Sequence, residues 1–116
     1  MQDDKALALF EEVLARTKEG RIPWEPAIYG ESLLAAIKGK RSLVLSPYDS
    51  TDERGHGEGW PSLLVKDSSD RELLRVTTSI DGVSPPALQE LYDTARRQAF
   101  KVDEQVQDLL ADLKNL

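Results

Sequence analysis

The chain has 116 residues, 40% of them hydrophobic and 31% charged, the balance of a folded single domain rather than a disordered segment. Its formal net charge of −6 is spread evenly: five acids face three bases in residues 1–20, ten face eight in 21–85, and six face four in 86–116. An acidic surface without a basic patch argues against nucleic acid and anionic lipid as partners, and the absence of cysteine excludes disulfides, thiolate metal sites and cysteine nucleophiles.

The acidic start MQDDKALALFEE lacks the basic opening of a signal peptide, and no run approaches the ~18 apolar residues of a membrane span. The expected location is therefore the cytoplasm, with no membrane association.

Residues 4–19 read as a first helix. Ala6, Phe10, Val13, Leu14 and Thr17 share one face, with Leu7 alongside. Gly20 suits the left-handed position after the last turn, and Pro23 prevents resumption. Trp24-Glu25-Pro26 follows as extended chain. Four short strands come next, at about Glu31–Ile37, Arg41–Ser46, Ser62–Lys66 and Arg71–Thr77. Lys38-Gly39-Lys40 and Asp67-Ser68-Ser69-Asp70 provide tight turns, so the strands should pair antiparallel as a meander. Their alternation is blurred by Leu34, Ala36 and Val44, as in a sheet with helices on one face and a partly apolar second face.

Ser84 then caps a final helix with Pro85 at its first position, and Val83 and Leu88 stand where a hydrophobic staple forms. From there to the end, apolar residues recur at alternating steps of four and three. Tyr92, Ala99, Val106 and Leu113 occupy heptad position a; Leu88, Ala95, Val102, Leu109 and Leu116 occupy d. Such spacing predicts one long continuous helix. Leu91 and Leu110 widen the stripe, and the flanks Gln89, Arg96, Gln98, Asp103, Gln105 and Asp112 form no complementary code, which favours a core wall over a zipper. The expected fold is α+β, a single domain over 1–116 ordered α-β-β-β-β-α with both helices on one sheet face.

A helix of thirty residues would span about 45 Å, against a diameter of roughly 35 Å for a compact domain of this size. Its last turns should overhang, exposing Val106, Leu109, Leu110, Leu113 and Leu116, which makes these five the candidate partner-binding residues. Asp108 and Asp112 also oppose the dipole at that end, where a partner's cations would compensate them, although a solvated face is the commoner explanation.

The segment 47–60 is the other place for function, with Tyr48, Arg54, His56 and Trp60 as candidate ligand contacts. Its residue types fall short of known chemistry. His56 is the sole histidine, and the oxygens of Asp52, Glu53 and Glu58 match neither zinc nor calcium spacing. The glycines of GHGEG precede Trp60-Pro61 and a strand, whereas a phosphate cradle must open a helix. Paired carboxylates such as Glu11/Glu12 and Asp103/Glu104 lie where solvent is expected. The sequence therefore favours a non-enzymatic protein-interaction module without cofactor or metal (an adaptor, inhibitor or immunity-type partner) that self-associates through its C-terminal helix. The alternative is a small-ligand sensor using the 47–60 loop over the sheet.

Overall fold

The computed structural model describes residues 2–28, 31–47 and 60–116. Helix α1 (Gln2–Lys18) leads into β1 (Glu25–Pro26), β2 (Leu33–Ile37), β3 (Arg41–Ser46), β4 (Ser62–Asp67) and β5 (Glu72–Val76), followed by α2 (Pro85–Ala99) and α3 (Val102–Lys114). The fold is α+β, and the strands form one antiparallel meander in the order β1-β2-β3-β4-β5.

The sheet has five strands where the sequence pattern predicts four. The extra one is the two-residue β1, in which Glu25 pairs with Leu34 and Pro26 with Leu33. Proline fits there because an edge position leaves its missing N–H without consequence.

Local chemistry explains the ends of the elements. At the close of α1, Gly20 at φ +74° lets its N–H donate to Thr17 O and the Arg21 N–H donate to Arg16 O, the paired bonds of a Schellman cap. Between β2 and β3, Lys38 and Gly39 both take positive φ, and the Lys40 N–H donates to Ile37 O. Between β4 and β5, the Asp67 carboxylate accepts from the Ser69 and Arg71 N–H groups at 2.9 and 3.0 Å and from Arg71 Nε at 2.9 Å. Led by the Arg71 N–H bond, these contacts hold its pKa below the usual carboxylate range.

The register places Leu33, Leu45, Leu63 and Val76 in one row and Ala35, Leu43, Val65 and Leu74 in the next. Both rows face the core, where they meet Ala6, Phe10 and Val13 of α1 and Leu88, Leu91, Tyr92 and Ala95 of α2. Helices α1 and α2 thus cover the same sheet face. On the other face, Leu34, Val44 and Leu64 form a partly exposed apolar row, as the blurred alternation predicts. A register shift at Val65/Lys66 bulges edge strand β5 and leaves Leu73 exposed.

Polar ties between elements are few and well placed. Trp24 Nε1 donates to Thr17 Oγ1 at 3.0 Å inside the core, the Tyr92 hydroxyl donates to Glu31 O, and Lys18 pairs with Glu90 at 3.2 Å. Gly82, at φ +89°, lies so close to α1 that a Cβ there would stand 2.8 Å from Leu7 Cδ2. No larger residue fits that approach without displacing Leu7.

The predicted single helix over the last thirty residues is instead two. The chain breaks between Ala99 and Val102, with Lys101 in the left-handed region at φ 52° and ψ 46°. The reason lies beside the heptad stripe. Phe100 occupies position b, where a straight helix would leave it in water; with the chain bent, it is half-buried against the core. The Gln98 side chain also donates to Thr17 O at 2.6 Å, and Arg97 reaches across the bend to Asp103 at 2.6 Å. Burying an aromatic and closing these bonds offsets roughly 1–2 kcal/mol for a non-glycine residue in the left-handed region.

Candidate functional site

Helix α3 is where the molecule leaves its core. Its principal contacts are with α2, and every residue from Asp103 to Leu116 is exposed. The long dimension of the molecule is 58 Å against 34 and 25 Å for the others. The overhang expected as the last turns therefore comprises the whole of α3.

Helical spacing concentrates apolar groups on one side of this exposed element. Val106 is 48% exposed, Leu109 55%, Leu110 47%, Leu113 53% and Leu116 99%. All five predicted partner-binding residues thus form one connected stripe facing solvent. Single exposed leucines are ordinary, whereas a contiguous apolar stripe is the signature of a contact surface.

At the bend, the stripe runs into an open groove of about 480 Å³ lined by Arg96, Phe100, Val102, Gln105, Val106 and Leu109. Phe100 and Val102 supply its apolar floor. The Arg96 guanidinium lies 5.2 Å from the Phe100 ring centroid, holding a cation over the aromatic face at the groove's edge. Gln105 turns back to donate to Phe100 O and fixes the bend. Among the described residues, Arg96, Lys101, Asp108 and Asp112 take part in no ion pair.

Heptad reading finds Val106 and Leu109 but misses the Arg96 and Phe100 wall of this groove. A signal for it was present: an aromatic at an outward heptad position, four residues after an arginine.

The candidate ligand contacts Tyr48, Arg54 and His56 lie outside the described residues. Of that group only Trp60 is described, at 36% exposure. Trp24, by contrast, is a buried core residue with a satisfied N–H. Among the described residues, no three His, Cys, Asp or Glu side chains gather closely enough to hold a metal ion, and no helix is long and apolar enough to cross a membrane.

The groups with perturbed titration stand apart from the groove and serve local structure. The Arg16 guanidinium, bonded first by Glu19 and then by Glu12 on the outer face of α1, is held above its ordinary range. Asp67 belongs to the β4–β5 turn. The surface formed by α3 and the bend carries apolar area along its length and charge at its rim. No family model, curated protein or solved structure matches this chain.

Proposed function

We propose that this chain is a small non-enzymatic protein-interaction module that self-associates through its C-terminal helix. One observation supports the reading: a thirteen-residue helix shows four large apolar side chains to water, with Leu116 just past its end, while the core forms without them. A helix in isolation at this length is marginal, because helix nucleation is costly and propensity alone does not offset it. Contact along its apolar side supplies the missing stabilisation.

Light scattering across concentration tests the reading. The chain should pass from the 13.0 kDa of one copy towards twice that mass as concentration rises through the micromolar range. Leu109→Asp, which sets a charge in the middle of the stripe, should hold it at the mass of one copy. A single-copy mass for the unmodified chain at high micromolar concentration contradicts self-association.

A further inference from the structure

Resting on that reading, the geometry of α3 and the bend specifies how the second copy docks. We propose that α3 pairs antiparallel with α3 of a second copy, whose Leu113 and Leu116 enter the groove at the bend.

The apolar pattern sets the register. In an antiparallel pair, position a of one helix faces position d of the other. Val106 then lies against Leu109 of the second copy, and Val102 lies against Leu113 of the second copy. The two-fold axis falls between Val106 and Leu109, so the contact is isologous and closes at two copies. Leu116 of the second copy, one turn further along, reaches Phe100. The groove of Arg96, Phe100, Val102, Gln105, Val106 and Leu109 is thereby filled by the exposed leucine just past the end of the facing helix. Two such stripes remove on the order of 1,000 Å² from water, the lower end of what a specific interface needs.

Charge selects antiparallel over parallel. Gln105 and Asp112 lie on one flank of the stripe, at heptad position g. Antiparallel packing sets like flanks together, so Asp112 of the second copy comes beside Gln105. That aspartate opposes the dipole of its own helix C-terminus, and the pairing moves it next to the positive N-terminal end of the facing helix. On the other flank, Lys114 of the second copy comes within about one turn of Asp103 and Glu104. A parallel pair would instead set Asp103, Asp108 and Asp112 level with their own duplicates and leave the groove without an occupant.

The cysteine-free sequence allows a direct test in the full chain. Val102→Cys and Leu113→Cys are made separately, and each is oxidised alone and in an equimolar mixture, with mass followed by light scattering. Antiparallel pairing brings residue 102 against residue 113 of the second copy, within reach of a disulfide, and keeps like positions about 16 Å apart along the helix. The mixture should therefore give a covalent two-copy species, and neither variant alone should. A two-copy mass with disulfides forming within each single variant overturns the antiparallel arrangement and leaves self-association standing. A one-copy mass at high micromolar concentration overturns both.

Discussion

Helices α2 and α3 continue a single heptad pattern and have opposite fates. In α2 the stripe positions Leu88, Tyr92 and Ala95 are buried against the sheet and α1; in α3 the equivalent Val106, Leu109 and Leu113 face water. The residue types are nearly the same, so hydrophobicity alone does not decide burial. The sheet decides it. Its strands are five or six residues long apart from the short β1, and they offer a face that α1 and α2 already fill. Once Phe100 turns into the core, the chain beyond Lys101 has left that face.

The largest expected contrast compares the same residue type at the same heptad position in the two helices. Leu88→Ala should cost about 2–5 kcal/mol of unfolding free energy, because it opens a cavity at a fully buried site. Leu109→Ala should cost within about 0.5 kcal/mol when unfolding is followed by denaturant at dilutions where copies are separate. Comparable losses at both positions would mean that α3 packs onto its own domain, and the contrast would collapse.

A smaller effect probes the bend that separates the two regions. Lys101→Gly relieves a left-handed lysine and should leave stability unchanged or raise it by up to about 1 kcal/mol. If the two helices were continuous, the same change would place glycine mid-helix and cost about 1 kcal/mol. The sign of the shift in a thermal melt therefore separates the two arrangements.

The smallest effect belongs to the body alone. Asp67 has its folded pKa depressed below the ordinary 3.8 by the Arg71 and Ser69 N–H groups and the Arg71 side chain. Its contribution is complete above about pH 4 and is lost as pH falls through the lower folded value. Asp67→Asn should flatten that part of the acid limb in melts between pH 4 and pH 2. It should leave the mass in solution unchanged, since the β4–β5 turn takes no part in α3. A change in mass would link the turn to the contact surface.

The sequence made the α+β order, the Schellman glycine, the Ser84 cap and the five exposed apolar residues legible, because each is a local signal: a φ requirement, a capping hydroxyl, a period. Three features lay beyond it. Strand β1 has two residues and exists only because β2 offers an edge. The bulge at Leu73 follows from pairing register, which the paired leucines Leu63-Leu64 and Leu73-Leu74 leave ambiguous. The break at Lys101 carries no glycine or proline and depends on Phe100 and Gln98 finding the core and Thr17. In each case a long-range contact overrides a local preference.

The central claim is that the stripe of α3 is covered by another copy of the chain. Light scattering of the unmodified chain and of Leu109→Asp, each from about one to several hundred micromolar, tests it most directly. The account predicts a rise from 13.0 kDa towards twice that mass for the unmodified chain and a constant one-copy mass for the variant. A constant one-copy mass for both, or an equal rise in both, would contradict it.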